Sequence, residues 1–540
     1  MSAQDRDAAD YVVIGGGSAG SVVAGRLAEA GADVLLLEAG GTDRRPDVLI
    51  PAGAINVYRT CNWSYVPEPD PSRGGAVEAW SSGRVLGGGG SINAMVYVRG
   101  HRADYDEWAR LGCTGWDYDS VLPSFKRMES WEGGADGHRG GDGPIHVGFH
   151  RMDHPANPVF VEAAEQAGHE FVPDYNGAEQ GGVGVVQVNQ KRGTRSNAPR
   201  GYLRGLDHRG RVTVRTKAYA HRLVVEAGRA VGVEYLHGGQ RRTARARQEV
   251  VLSAGALVSP KVLMLSGIGP RDELGRFGID VLRHSPGVGA NLQEHPGFML
   301  RWHSKLRTVN EMGPRDGLRA LADYVRSGRG PFAATVFHVQ VMHRTDPALP
   351  RPNIQILLAN YATSRERGAD GILKIKPAKT SGLMACALLV HPRARGRILL
   401  RSTAPLDAPV IRHPLLADPD DVAELLAGME EARRIMDQPA AKEIAGELFD
   451  PEGRCATRQD WEAELRENVT YAYHHVGTCR MGSDDDAVVG PDLRVRGVEG
   501  LRVADASVMP TITTGNTNAV AMMIGERAAD LILGRVHTSS

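Results

Sequence analysis

Neither sign of charge dominates this chain: 64 lysines and arginines face 64 aspartates and glutamates, so the formal net charge is zero. A neutral balance offers no general pull toward nucleic acid or anionic membranes. Cysteine is scarce as well. The five residues (Cys61, Cys113, Cys386, Cys455 and Cys479) are widely spaced and form no CxxC pair, which argues against a disulfide framework or a zinc site. Long hydrophobic runs are missing: no stretch reaches about eighteen uninterrupted apolar residues, so no membrane span is expected. Met1 to Asp10 carries Asp5, Asp7 and Asp10 in place of a basic, then apolar, leader. No secretion signal is expected, and the chain reads as a soluble cytoplasmic protein.

What is present is ordinary globular composition, 42% hydrophobic and 24% charged, spread over 540 residues. That length is too great for one core, so two domains are expected. Tyr11–Val12–Val13–Ile14 has the β-branched content of a buried parallel strand. It runs into Gly15–Gly16–Gly17–Ser18–Ala19–Gly20, a GxGxxG arrangement. A helix with an apolar stripe (Val22, Val23, Ala24, Leu27, Ala28) follows, then a second strand, Asp33 to Leu37, ending in Glu38. Gly15 makes the tight turn, Gly17 admits a pyrophosphate to the backbone, and Gly20 lets helix and strand pack closely. The helix N-terminus offers free N–H groups to phosphate. Glu38 suits the ribose hydroxyls of an adenosine and would repel a 2′-phosphate, arguing against NADP. This unit alone does not separate FAD from NAD.

Three later stretches carry a resemblance. Gly83–Arg84–Val85–Leu86–Gly87–Gly88–Gly89–Gly90–Ser91–Ile92–Asn93 resembles the first signature of the glucose–methanol–choline (GMC) flavin oxidoreductases. Gly255–Ala256–Leu257–Val258–Ser259–Pro260, continuing through Leu265 to Gly269, resembles the second. Val503 to Pro510 with Gly515–Asn516–Thr517–Asn518 resembles the family's closing flavin segment. The resemblance implies bound FAD. Gly15, Gly17, Ser18, Ala19, Gly20, Glu38 and Ala39 would hold the ADP half, and the backbone at Ala220 would touch adenine. Arg84, Gly87, Gly88, Ser91, Asn93 and Ala94 would lie along the isoalloxazine and ribityl chain. Asp505 and Ala506 would close on the pyrophosphate side, with Asn516 and Thr517 nearby. Some members attach FAD through a histidine just before the asparagine matching Asn93; here Ile92 stands there, so FAD is expected to be non-covalent.

The resemblance also implies chemistry for Tyr473–His474–His475–Val476–Gly477–Thr478. Alcohol oxidation by flavin needs a proton acceptor at the hydroxyl while hydride passes to flavin N5, and histidine titrates near working pH. His474 is similar in position to the family's catalytic histidine, and Asn518, by its separation from His474, to the partner that orients the hydroxyl. Asn516 competes for that role but is expected to hold the turn or touch flavin. His475 replaces a common proline and is expected to pack against backbone. His295, in Glu294–His295–Pro296, reads as structural.

The fold class expected is α/β: a Rossmann-like FAD-binding domain of GMC type and a substrate domain built on an antiparallel sheet plus helices. The nucleotide domain, discontinuous, is expected at 1–150, 193–300 and 470–540, with the substrate domain at 151–192 and 301–469. Ile354–Leu358 and Arg397–Leu400 are expected as strands of that sheet, with helices at Asp421–Met436 and Trp461–Val469. The glycine- and histidine-rich tract from His138 to His154 reads as a mobile interdomain loop, and no metal site is expected. Arg241–Arg242 and Arg365–Glu366–Arg367 read as solvated faces. The leading function is oxidation of an alcohol, primary by preference, to an aldehyde, with oxygen or another acceptor closing the cycle. An amino-sugar or polyol dehydrogenase, a hydroxynitrile-lyase-like enzyme and an NAD-dependent dehydrogenase are the alternatives.

Overall fold

Four consecutive buried residues in β1 (Ala8–Ile14), Tyr11 to Ile14, and four buried aliphatics in β2 (Val34–Leu37) mark strands covered on both faces. Both are found in the computed structural model, which describes residues 7–206, 210–367, 373–451, 453 and 455–536. β1 pairs in parallel with β2 on one side and with the strand Gln240–Leu252 on the other. Val212–Arg215 continues the sheet beyond β2, and Leu501–Val503 adds a parallel strand at Val250–Leu252. Ala218–Glu226 and Arg229–His237 extend the other edge as an antiparallel ribbon. Full burial of side chains such as Val12, Val13 and Leu36 stabilises each by about 1.5–3 kcal/mol.

Between β1 and β2 runs α1 (Ser18–Glu29). The approach of helix to strand leaves no room for side chains: a Cβ on Gly20 would lie 2.0 Å from the Gly15 carbonyl oxygen. Gly15 itself has φ +100° and would collide with the Ser253 carbonyl. The final helix, Asn518–Ile532, packs on α1, and an Arg26–Glu526 ion pair of 2.8 Å joins them. The end of the chain thus returns to its beginning.

The second sheet is antiparallel, in the order Ala445–Asp450, Pro296–Ser304, Gly382–Leu389, Ile354–Ala359, Val339–His343 and Gly182–Val185. The helix Pro419–Met436 covers one face with Leu425, Leu426 and Met429. On the opposite face Met299, Cys386 and Leu357 stand side by side in register. Pro296–Ser304 starts inside the 193–300 stretch, and Thr470–Tyr471 pairs with it from inside 470–540. Both strands therefore belong to the second sheet rather than the first. Among the described residues, no helix is long and apolar enough to cross a membrane.

Three local expectations are corrected. Arg397–Leu399 pairs only with Val410–Arg412, in a separate two-stranded ribbon. Arg365 is no solvated charge: it joins Asp450, Glu464 and the buried Arg301 in one ion network, because two acids there need two cations. The Arg367 side chain lies outside the described residues. The His138–His154 tract contains the strand Ile145–Phe149, held between Glu129–Trp131 and Gln187–Val188, so its glycines do not make it a free loop.

Candidate active site

A single cavity of about 1540 Å³ runs from the glycine turn after β1 to the open face of the second sheet. At one end its wall includes Gly15, Gly17, Ser18, Ala19, Glu38 and Ala39. Gly17, the N-cap of α1, provides no side-chain cap, and a Cβ there would meet nothing within 4 Å, so the helix start faces open space. Glu38 is buried and accepts from Gly16 N (2.9 Å) and Gly40 N (2.6 Å). Burial pushes its carboxyl up to about 7 despite those two bonds. Trp63, Tyr219, Ala220 and Arg84 form the adjoining wall, with the Arg84 guanidinium 4.9 Å above the Trp63 ring. Lys261, buried on the helix Ser259–Leu265, donates to Pro405 O at 2.8 Å and to Asp407 O, clamping a loop beside it.

The middle of the wall is the 88–94 turn and the 505–506 segment. Gly88, Gly89, Ile92, Asn93 and Ala94 line the cavity, as do Asp505, Ala506, Thr517 and Asn518. Gly20, Gly87 and Ser91 do not; they stand behind the wall, Ser91 bonding Leu86 O and Asn197. Their part is to shape the turns. Asp505 ties the closing segment to the second signature through Gly255 N (2.9 Å) and Ser259 Oγ (2.6 Å). Asn93 Oδ1 accepts from Arg195 Nη1 at 2.6 Å. These features fit FAD: an uncapped helix start for phosphate, a carboxylate at ribose depth, an aromatic wall for adenine, and an elongated slot leading to His474. Ile92 offers no nucleophile for a covalent link.

His474 lies at the far end. Tyr473 before it has φ +62°, a left-handed conformation that L-residues rarely hold, and this turns the His474 ring into the cavity. The hydrogen bonds around the ring determine its tautomer. His295 Nε2 can only donate to the Val390 carbonyl, 3.0 Å away, so the neutral His295 accepts at Nδ1. His474 Nδ1 lies 2.9 Å from that nitrogen and must donate to it. Its Nε2 is then unprotonated and accepts from Asn516 Nδ2 at 3.1 Å. Gln355 Nε2 donates to Asn516 Oδ1 at 3.4 Å, which orients the amide accordingly. The donors all run one way, from Gln355 to Val390. Burial, with the His295 ring beside it, pushes His474 down to about 3, and burial takes His295 to about 3 as well.

One expectation changes here. Asn516, not Asn518, meets His474. Asn518 opens the last helix and accepts from Ser18 Oγ at 2.6 Å, on the nucleotide side. Gly515, at φ +84°, reverses the chain just before them, so residues two apart face different ends of the cavity. His295, expected to be structural, holds His474 directly. His475, stacked on Trp80 at 4.6 Å, places Nδ1 2.6 Å from Glu294 Oε2 and Nε2 3.2 Å from Ser81 O. Glu294 Oε1 also accepts the backbone N–H of His474 at 2.8 Å. Sequence reading missed Arg195 and Trp63, which lie in no stretch it singled out, and gave no site role to Lys261, inside the second signature, or to Gln355, inside the expected strand Ile354–Leu358.

Away from the cavity, His169, His343 and Glu431 bring three potential ligand atoms within 4.8 Å of one another. The Glu431 carboxylate is already gripped by the Arg434 fork at 2.6 and 2.7 Å and by His169 at 2.5 Å. The cluster is an ion-pair knot between helix and sheet.

The description GMC oxidoreductase matches residues 9–297 through its N-terminal part and 392–525 through its C-terminal part. An oxygen-dependent choline dehydrogenase of Sinorhizobium medicae (strain WSM419) is 41% identical over 538 residues, covering 98% of this chain and 96% of the relative. Pyridoxine 4-oxidase from Mesorbium loti superposes with a TM-score of 0.87 at 29% identity, covering 98% of this chain and all of that one (100%). A fungal aryl-alcohol oxidase superposes with a TM-score of 0.82 at 25% identity over 98% of this chain and 99% of its own. With cradle, slot and histidine in one cavity, these matches establish that the chain belongs to the GMC oxidoreductase family and is an FAD-dependent oxidoreductase acting on CH–OH donors.

Proposed function

We propose that the substrate is a primary alcohol, oxidised to its aldehyde against His474, with FAD held non-covalently. The observation that carries this reading is one continuous cavity joining the nucleotide cradle to an imidazole whose free nitrogen is fixed by its neighbours. Gly17, Glu38, Arg84, Ala220 and Asp505 would hold the cofactor, which when bound supplies the hydride acceptor. His474 Nε2 takes the hydroxyl proton. As that imidazolium forms, its Nδ1–H keeps donating to His295 Nδ1, so the ring does not turn while its charge changes. The buried Glu294 carboxylate, bonded to the His474 backbone, favours that charge. The Asn516 N–H released from Nε2 is free to donate to the substrate oxygen.

In this reading the nucleotide-binding part is discontinuous, drawn from 1–150, 193–300 and 470–540 apart from the strands at Pro296–Ser304 and Thr470–Tyr471, and the substrate part lies between these stretches. Oxygen or another acceptor returns the cofactor to its oxidised state. Cys61, Cys113, Cys386 and Cys479 are buried free thiols, which supports a reducing, cytoplasmic setting. Anaerobic mixing of the yellow protein with a primary alcohol should bleach its visible absorbance, and acid denaturation followed by filtration should pass all the colour through the membrane. An alcohol cleaved without bleaching would point to lyase chemistry; colour retained with the polypeptide would overturn non-covalent binding.

A further inference from the structure

The end of the cavity beyond His474 is built for a particular kind of alcohol. We propose that this chain prefers uncharged aryl-methanols carrying a hydrogen-bonding group on the far side of the ring, and discriminates against cationic alcohols such as choline. The inference rests on His474 acting as the base. Its basis is the composition of the chamber and the pairing of the acids along it among the described residues.

The chamber floor is the open face of the antiparallel sheet, where Met299, Leu357, Met384 and Leu388 project on alternate residues, and Phe337 closes one side. These are flat or pliable apolar groups, which complement a ring better than a hydrated cation. Three tyrosines, Tyr58, Tyr361 and Tyr473, also line it. Tyr58 lines the cavity and keeps 36% of its surface accessible. Its hydroxyl lies close enough to those of Tyr361 and Tyr473 to affect the ionisation of both. Among the described residues, the Tyr58 and Tyr361 hydroxyls have no hydrogen-bond partner. They are available to a substituent of the substrate.

Among the described residues, no carboxylate is free to meet a cation there. Of the acids along the cavity, Glu38 and Asp505 are bonded to backbone N–H groups in the nucleotide half. Glu68 lies 3.5 Å from Arg401, and Asp407 bonds Ser402 at 2.5 Å. Glu78 accepts from Thr470 at 2.7 Å and faces Arg73 at 4.0 Å. Glu294, behind the wall, is paired with His475. The uncompensated charge is of the opposite sign. Arg195, 3% exposed, bonds only neutral oxygens, those of Val48, Gly90 and Asn93, and has no carboxylate partner among the described residues. Burial lowers it to about 10, so it stays protonated at neutral pH, and it sits close enough to Tyr58 to favour that phenolate. An ammonium entering this chamber would lose its hydration, gain no counter-ion and feel a buried guanidinium. The tyrosine faces offer a cation some attraction, but their rings stand before a like charge.

The test uses the FAD-loaded protein with 4-methoxybenzyl alcohol, benzyl alcohol and choline. Anaerobic bleaching rates should place both aryl alcohols at least about 100-fold above choline in kcat/KM. The double variant Tyr58→Phe with Tyr361→Phe should abolish the advantage of the methoxy over the unsubstituted compound while leaving benzyl alcohol within about twofold. The binding of 4-methoxybenzaldehyde, read from the shift it causes in flavin absorbance, should weaken in parallel. Choline bleaching as fast as the aryl alcohols overturns the proposal and leaves the role of His474 intact. In that case Glu78 would be the counter-ion, and Glu78→Gln would selectively remove choline turnover. Bleaching by none of the three would bring down both this inference and the reading beneath it. A methoxy advantage that survives in the double variant refutes the tyrosine assignment.

Discussion

Replacing His474 by alanine should lower kcat/KM for the alcohol by about two to four orders of magnitude while the protein stays yellow. The loss is expected because the neighbouring imidazoles are committed elsewhere. His295 Nε2 donates to Val390 O from behind His474, and His475 is held by Glu294 and Ser81. Retention of FAD is expected because no nucleotide-side contact passes through the imidazole; the His474 backbone N–H to Glu294 survives the substitution. The two asparagines should then separate. Asn516→Ala should reduce kcat by about tenfold or more, since it removes the donor on Nε2. Asn518→Ala should spare kcat and instead weaken FAD retention through the lost Ser18 bond. The reverse ranking would restore the assignment made from spacing. His295→Leu should cost about ten- to a hundredfold, because Nδ1–H loses its acceptor and the ring is free to adopt the wrong tautomer. With His474 held near 3 by burial, the acid limb of kcat/KM is expected below 6.5, the ordinary imidazole value.

The parts of this site that were legible in the sequence are those whose chemistry is local. A strand, three glycines, a helix and an acid occur within about thirty residues, and each needs only its neighbours to take up its geometry. The antiparallel character of the second sheet was legible for the same reason, from runs such as Ile354–Leu358. What escaped was set by contacts far apart in the chain. Whether Asn516 or Asn518 reaches His474 depends on the sharp turn at Gly515, which Val98 crowds at 2.8 Å from where a Cβ would stand. No count of residues reveals that. His295 was read as structural because an imidazole after a glutamate is ambiguous alone; only the meeting of two segments 179 residues apart makes it a support for the base. Arg365 likewise looked solvated until Asp450 and Glu464 were brought to it. The strand Thr470–Tyr471 shows why domain limits were blurred: the chain passes from one sheet to the cofactor side within three residues of His474.

Acid should destabilise this protein steeply, well before its carboxylates titrate. Burial holds His101, His150 and His413 near 4, His295 and His474 near 3, and His338 and His391 well below their ordinary value. In the unfolded chain each takes up a proton near 6.5. Below that pH the unfolded state binds more protons than the folded one, so stability is fully present above 6.5 and drains as pH falls toward 4 and 3. Each imidazole contributes about 1.4 kcal/mol per pH unit inside its window. Glu38, raised to about 7, acts in the opposite sense, its contribution being lost as pH rises through 7, but it is a single group. Glu431 and Asp484, lowered to about 2, add their loss only below about pH 4. The melting temperature of the FAD-loaded protein should therefore fall by about 10 °C or more between pH 7 and pH 5. A melting temperature that stays level over that range would contradict the burial of these rings. His338 provides the internal control. It is 1% exposed, neither ring nitrogen is hydrogen-bonded, and its nearest ring is His150 at 5.0 Å, so its pH response is almost pure desolvation. His338→Phe should flatten the slope of stability against pH by about one proton's worth, and should do so without touching turnover, since His338 does not line the cavity.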